Sequence, residues 1–402
     1  MKKAVTLTLV LALLFSAAAG TQIVKKARAE TITVPDDYAK LQDAINAANE
    51  GDTIFVKKGT YEEQTLQITK TLSLIGEDTN NTVIKLHPPV YNVTWILSQS
   101  YATLSNAISI YANDFMLSNL TIVLNPDGYI AATGDRTRII GNNITGTGTV
   151  TGLIISGSYC NITDNTSSGL VAFDFATNTY ITNTDAGGFI SLSGSSHMIA
   201  RNTFSKIFVS GNSNIISNNT TVSSVELLNA NNNVVYGNNI STSTISARTT
   251  DYGVRIVDNS SHNIIYNNNI LALLSGVEIN SKSAENNTFY HNNFLIKYGR
   301  EPDSVYTYGL TLVNFWDNGK EGNYWEDYNG TDANRDGIGD APYVIDADNV
   351  DRYPLMFPYD VENDTVMLPP PEPFPTALVI ALVVIITVEG IGLLIYFKKR
   401  KR

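Results

Sequence analysis

The chain has 402 residues, 27 basic and 38 acidic, giving a formal net charge of −11 and a pI near 4.9. That acid excess argues against nucleic acid and against polyanions such as pectate or alginate, and favours cations or neutral partners. A single cysteine, Cys160, excludes an intramolecular disulfide, so stability must come from packing.

In chain order, residues 1–29 read as a secretory signal peptide. Lys2-Lys3 precedes the apolar run Ala4–Ala19, and Ala27-Arg28-Ala29 is a small-residue cleavage site, with Ala18-Ala19-Gly20 as the alternative. Pro35-Asp36-Asp37 is a helix-start signal; Leu41, Ala44, Ile45 and Ala48 follow at helical spacing, and Gly51-Asp52 ends the expected capping helix. Strands are expected at Thr53–Val56, Leu66–Ile68, Leu72–Ile75 and Thr82–Leu86.

A short pattern then returns: an apolar residue, Asn three places later, and an apolar residue or Thr two beyond. It reads Ile139/Asn142/Ile144, Ile199/Asn202/Phe204, Val235/Asn238/Ile240, Ile265/Asn268/Ile270 and Phe289/Asn292/Phe294. Weaker copies include Met116/Asn119/Thr121, Ile162/Asn165/Ser167 and Ile216/Asn219/Thr221, and Thr184 takes the slot in one copy. The slots lie 17 to 30 residues apart. With strand-and-turn composition and no regular leucines, that period indicates a parallel β-helix. Each coil's short strands pair with those of the next coil ~4.8 Å along the axis, and about ten coils are expected. Asn suits the turns because it tolerates left-handed backbone angles, and stacked Asn side chains can bond one another along the axis. The longest step, before Asn268, implies an insertion near Ser241–Tyr252 whose candidate contacts are Arg248, Asp251 and Tyr252.

Two terminal segments carry a resemblance. "VPDDYAKLQDAINAANEGDTIFVKKGTYEEQ", starting at Val34, resembles the N-terminal cap of NosD-like parallel β-helix proteins. "NFWDNGKEGNYWEDYNGTDANRDGIGDAPYVIDADNVDRYPLM" (314–356) resembles the C-terminal signature of their membrane-anchored archaeal surface relatives. The resemblance runs from Thr31 to Met356 and implies a right-handed helix of the carbohydrate-binding and sugar-hydrolase superfamily. It implies no activity by itself. The NosD name also brings a copper association, but Cys160, the scattered Met residues and His87, His197, His262 and His291 sit at no ligand spacing, so copper is not supported.

Asp332, Asn334, Asp336, Ile338 (through its carbonyl) and Asp340, with Gly337 at the sixth place, match the first nine positions of an EF-hand-type loop and point to structural Ca²⁺. The twelfth place holds Tyr343 instead of Glu, so Asp346 or another carboxylate would complete the shell. Trp316, Tyr324, Trp325 and Tyr328 are candidates to stack on sugar rings, against the competing role of buried cap aromatics. Thirteen Asn-x-Ser/Thr sequons start at Asn80, Asn92, Asn119, Asn143, Asn161, Asn165, Asn218, Asn219, Asn239, Asn259, Asn286, Asn329 and Asn363.

No complete catalytic set is legible. Asn183-Thr184-Asp185 matches the first triplet of a polygalacturonase-like site, but the paired Asp, the Gly-His-Gly and the Arg-x-Lys of such sites are missing. A lyase needs a base and a charge neutraliser, and Arg138, Arg201, Lys206, Arg248 and Arg255 look scattered. Beyond residue 368, a proline-rich linker (369–375), a transmembrane helix (376–397, interrupted by Glu389) and a cytoplasmic basic tail (398–402) are expected. Without signal region, tail and Glu389, 17 basic and 37 acidic residues remain, a net −20.

The expectation is an all-β, single-stranded right-handed parallel β-helix with its N-terminal cap over 30–300, an acidic, aromatic C-terminal cap over 301–368, and one C-terminal transmembrane helix. It is expected at the cell surface as a single-pass type I membrane protein, acting as a non-catalytic glycan-binding or adhesion module with no nucleic-acid partner. A polysaccharide-active enzyme (lyase or glycoside hydrolase) is the alternative, and a structural spacer of the cell envelope the third reading.

Overall fold

The computed structural model describes residues 28–89, 94–97, 100–103, 105–125, 128–146, 152–167, 171–173, 176–221, 223–242, 252–273, 275–296, 304–307 and 312–366. Nearly all of the expected signal peptide, Asn92, most of the insertion (243–251 with Arg248 and Asp251), the linker, the membrane span and the tail lie outside the described residues. The chain forms two compact units, 1–169 and 170–402.

In the first unit the chain passes in turn through three parallel sheets. Sheet A holds Thr31–Val34, Thr53–Val56, Ser73–Gly76, Met116–Ser118, Arg138–Ile140 and Asn161–Thr163. Sheet B holds Gly59–Glu63, Thr82–Leu86, Thr121–Leu124, Asn143–Gly146 and Thr166–Ser167; sheet C holds Leu66–Ile68, Ser105–Ile110, Gly128–Ala132 and Gly152–Ile155. Each strand pairs with its counterpart one coil away, so Ile139 lies between Leu117 and Ile162, and all three are fully buried. This is a parallel β-helix. Every such aliphatic side chain removed from water contributes roughly 1.5–3 kcal/mol, which replaces the missing cross-links.

The capping helix, α1 (Leu41–Ala47), starts later than Pro35-Asp36-Asp37 suggests. Thr31–Val34 is already a strand, residues 35–37 form a turn, and Asp37 Oδ2 accepts the Thr33 N–H at 2.7 Å. The first helical N–H, of Leu41, is instead capped by Glu63 Oε1 at 2.8 Å, from a neighbouring strand.

The second unit repeats the plan. Sheet A runs Tyr180–Thr182, Met198–Ala200, Ile215–Ser217, Val234–Tyr236, Ile264–Tyr266 and Thr288–Tyr290. Sheet B runs Asp185–Ala186, Thr203–Phe204, Thr220–Thr221, Asn239–Ser241, Asn269–Ala272, Asn293–Ile296 and Tyr324–Trp325. Sheet C runs Val171–Phe173, Phe189–Leu192, Lys206–Val209, Val225–Leu228, Tyr252–Val257, Ser275–Asn280 and Val305–Tyr306.

Buried amide ladders hold the turns between sheets. In the first unit the Leu120 N–H donates to Asn142 Oδ1 (3.1 Å), and Asn142 donates to Asn165 Oδ1 (3.0 Å). The slot is therefore Leu120, one residue beyond Asn119. In the second unit each backbone N–H donates to the next coil's side chain through Thr184, Asn202, Asn219, Asn238, Asn268, Asn292, Asn323 and Asp351. A second ladder, at the other edge of sheet A, runs through Thr179, His197, Asn214, Asn233, Asn263, Asn287, Asn314 and Asn349.

The ladder Asn residues do not take the left-handed turn conformation themselves. Along most of both ladders the residue before does, as with Gly141 (φ 64°) before Asn142, Asp164 (56°) before Asn165 and Arg201 (57°) before Asn202; Val313, Gly322 and Asp348, before the late rungs Asn314, Asn323 and Asn349, do not. The slot side chain points inward, and its predecessor bends the backbone.

At the C-terminal end, Trp316 stacks on Phe289 (4.4 Å) and Trp325 on Phe294 (4.5 Å). Their Nε1–H groups donate to the last rungs, Asn349 Oδ1 (3.1 Å) and Asp351 Oδ2 (2.8 Å). One short segment, 349–351, thus closes both ladders.

Candidate functional site

Alternate residues of a strand face opposite sides, so Val225-Glu226-Leu227, Val254-Arg255-Ile256 and Val277-Glu278-Ile279 bury both apolar neighbours and turn the charged residue outward. Parallel register puts Phe208, Glu226, Arg255, Glu278 and Tyr306 in one column on the outer face of sheet C in the second unit. Lys206, in the strand of Phe208, completes an ionic string. It pairs with Glu226, Arg255 Nη1 reaches Glu226 Oε2 at 3.7 Å, and Arg255 Nε donates to Glu278 Oε2. The Glu226 and Glu278 side chains are 9% and 0% exposed, whereas those of Lys206 and Arg255 are 23% and 24% exposed. A ligand therefore meets cations first, with carboxylates beneath them.

Aromatic rings flank the string. Lys206 Nζ lies 4.6 Å over the Phe208 ring, which meets Phe189 edge-on at 5.6 Å. Tyr252 and Tyr306 lie parallel, 7° apart, with centroids 6.4 Å apart. A linear chain along this face would meet a different functional group every ~4.8 Å. Two carboxylates two coils apart, with a permanent cation between them, supply the elements of acid–base chemistry and charge neutralisation.

Sequence reasoning missed this column. Lys206 and Arg255, read there as scattered, belong to one string, and the glutamates that organise them were not singled out. The signal was present: three successive coils carry a charge at the central place of a Val-x-(Leu/Ile) frame. The net acidity of the chain also misleads locally, because the string's two cations balance its two carboxylates.

The other expected residues are placed as follows. Arg138 and Arg201 lie away from sheet C, at a sheet A strand and a turn. Thr184 is a ladder rung, 1% exposed, while Asn183 bends the turn and Asp185 faces outward on sheet B, so the triplet does not converge. Trp316 and Trp325 are 1% and 0% exposed; Trp325 lies between Phe294 and Tyr343, so neither indole offers a face to a sugar. Tyr324 and Tyr328 are half-buried, and the Tyr328 hydroxyl donates to Ala341 O at 2.6 Å.

Asp332, Asn334, Asp336, Ile338 and Asp340 share one surface loop. Asp332 accepts the N–H groups of Arg335, Asp336 and Gly337; Asp336 accepts that of Ile338; Asp340 accepts that of Ala333. Among the described residues no group of three or more His, Cys, Asp or Glu side chains converges for a metal ion. Tyr343, at the twelfth place, packs on Trp325 and donates to Asp327.

Of the sequons, Asn165 and Asn219 are ladder rungs, 2% and 1% exposed. Asn80, Asn119, Asn218, Asn239, Asn259, Asn329 and Asn363 are exposed, and Asn143, Asn161 and Asn286 half-buried.

No family model matches the chain, and no curated protein matches it. Solved structures do. A mannuronic acid specific polysaccharide family 6 lyase from human gut microbiota is 14% identical, with TM-score 0.48, over 72% of this chain and 87% of that one. The Dettilon tailspike protein is 13% identical (TM-score 0.43; 68% and 70% covered), and the A-module of the Azotobacter vinelandii mannuronan C-5 epimerase AlgE4 is 14% identical (TM-score 0.37; 72% and 90% covered).

Proposed function

We propose that this protein is a polysaccharide-active β-helix of the lyase or glycoside hydrolase type, with its substrate lying along the outer face of sheet C in the second unit. The observation that carries this reading is the Lys206–Glu226–Arg255–Glu278 string, which lines up ionisable groups from successive coils between aromatic pairs. Arg255, always charged, neutralises an acidic group on the sugar, and Glu278 beneath it fixes the guanidinium. In an elimination Glu226 takes the carbon-bound proton beside that acidic group, the bond to the glycosidic oxygen breaks as the double bond forms, and the Lys206 ammonium gives its proton to the departing oxygen. A binding-only version of the same face is the second reading, because both carboxylates are already matched by cations.

The sequence features that point to a cell surface, and the resemblance of the terminal segments to NosD-like proteins, support an extension of this reading: a tethered protein acting on polymers of the envelope. Calcium at Asp332, Asn334, Asp336, Ile338 and Asp340 is proposed as a structural ion that stiffens the C-terminal cap.

The test is full-length protein against a panel of neutral and acidic polysaccharides, with binding and new chain ends both scored for wild type, Glu226→Gln and Lys206→Met. Cleavage that Glu226→Gln abolishes is the expected result. Binding without cleavage selects the second reading, and no binding to any polymer rejects both.

A further inference from the structure

Two exposed sequon asparagines stand apart from the rest, each at a corner between sheets A and B. Asn119 in the first unit (φ 56°) and Asn218 in the second (φ 54°) occupy the left-handed turn position just before a ladder slot. In the next coil this position holds Gly141 and Gly237, respectively. A Cβ on Gly237 would lie 2.3 Å from Asn218 Oδ1, and one on Gly141 would lie 3.3 Å from Asn119 Oδ1. Positive φ alone does not require these glycines, since Asp164 in the first unit and Asn183, Arg201, Asn267 and His291 in the second adopt it at the same turn position. What they give is room: with no side chain at that place in the next coil, the Asn is left uncovered there, whereas Arg201 Nε bonds to Asn183 Oδ1 across the same step.

Asn165 and Asn219 carry the same tripeptide signal with the opposite surroundings. Asn165 Nδ2 donates to Ile139 O (2.8 Å) and Thr163 O (2.9 Å); Asn219 Nδ2 donates to Ile199 O (2.9 Å) and Asn238 Oδ1 (3.0 Å). A substituent on either nitrogen would remove those bonds and force a sugar into the core.

We infer that Asn119 and Asn218 are N-glycan attachment sites and that Asn165 and Asn219 are silent sequons. In the reaction, the Asn Nδ2 bonds to the anomeric carbon of an oligosaccharide carried on a polyisoprenyl phosphate. The bond from that carbon to the phosphate oxygen breaks, the lipid phosphate departs, and the amide gives up one proton. Each glycan then projects from its own unit's corner between sheets A and B, across the coil from that unit's sheet C. Among the described residues no sequon asparagine lies in a sheet C strand, so that face stays bare. The inference is independent of any activity on sheet C.

The experiment is glycopeptide mass mapping of full-length protein isolated from the membranes of the cells that make it. Glycan mass is expected on the peptides containing Asn119 and Asn218 and none on Asn165 or Asn219. Asn119→Gln removes one increment. Thr220→Ala removes the one on Asn218, although the sequon of Asn219 survives through Thr221. Bare Asn119 and Asn218, or a glycan on Asn165 or Asn219, overturns the inference. Mapping of the unaltered chain decides the matter should a variant fail to fold.

Discussion

Asn323 donates to Asp351 Oδ2 twice, through its backbone N–H at 2.7 Å and its Nδ2 at 3.4 Å, and so ends a ladder of amides on a carboxylate. Each earlier rung must accept from one coil and donate to another, which an amide does. The last rung has no further coil to serve, and a carboxylate only accepts. Tyr353 N–H (3.1 Å) and Trp325 Nε1–H (2.8 Å) occupy the remaining lone pairs. Asp351→Asn would turn an NH₂ group toward one of these donors. Above about pH 7, where Asp351 is ionised, the expected loss is ~1–3 kcal/mol in denaturant unfolding, the usual penalty for an unmatched buried polar group. An unchanged unfolding midpoint would contradict this account of the ladder's end.

His197 and Asp351 predict opposed pH effects. Burial lowers His197 to about 4, so between pH 4 and 6.5 the unfolded chain holds a proton that the folded chain lacks, and this term lowers stability as pH falls. Burial raises Asp351 to about 7 despite its hydrogen bonds, so between pH 3.8 and 7 the folded chain holds the extra proton, and this term lowers stability as pH rises. At ~1.4 kcal/mol per pH unit, each term is at most about 3–4 kcal/mol, and the two largely cancel. These two terms should therefore largely offset each other between about pH 4.5 and 6.5, leaving the slope from His291, which burial also lowers. His197→Asn, which inserts an ordinary rung, should leave stability falling with pH; Asp351→Asn should leave it rising. Unfolding curves at three pH values read both slopes. If neither variant tilts the profile, these groups do not titrate as argued.

The first ladder was legible because Asn recurs in it from coil to coil, and its repeat led directly to the β-helix. The weak copy at Met116/Asn119/Thr121 slipped by one residue, because Leu120 fills the slot and only the turn residue beside it is Asn. The second ladder escaped notice. In the first unit its position is held by Phe115, Thr137 and Cys160, and in the second by Thr179 and His197 before Asn214 appears, so no residue type recurs early enough to mark it. Both terminal tryptophans follow a ladder Asn by two residues, as Phe289 and Phe294 do. That spacing was available in the sequence and marks them as interior. The ionic string is hidden for a different reason: its successive members are 20 to 29 residues apart in the chain, and only the register of successive coils brings them together.

The string also separates stability from binding. Arg255→Gln leaves Glu278 wholly buried without its cation, and breaking a buried pair in this way costs roughly 3–5 kcal/mol. Lys206→Met removes a partly exposed ammonium and leaves the buried Glu226 with Arg255 at 3.7 Å, so its cost should be smaller, about 1–3 kcal/mol. Lys206→Met should nonetheless weaken capture of an acidic polysaccharide, because it removes one of the two cations on the face. Unfolding and binding measured side by side test this: a well-folded Lys206→Met protein with undiminished binding would remove Lys206 from the site.

Calcium gives the last prediction. Asp332 already accepts three N–H groups of its loop, so the bend that a cation needs exists without one, while Asp336 makes only surface bonds to the Ile338 N–H and Asn334 Nδ2. Asp332→Ala should therefore lower the melting temperature even in chelator, whereas Asp336→Ala should leave that baseline within about 1 kcal/mol. Calcium in hundredfold excess over its dissociation constant adds ~2.7 kcal/mol by mass action, and extracellular sites commonly bind at ~0.1–1 mM. Wild-type protein moved from chelator to ~10–100 mM calcium should thus melt several degrees higher, and Asp336→Ala should lose that increment. Because Tyr343 packs on Trp325, stiffening of the loop reaches the aromatic ring stack that closes the second unit. Equal melting temperatures in calcium and chelator would mean that the Asp-rich spacing serves the turn alone.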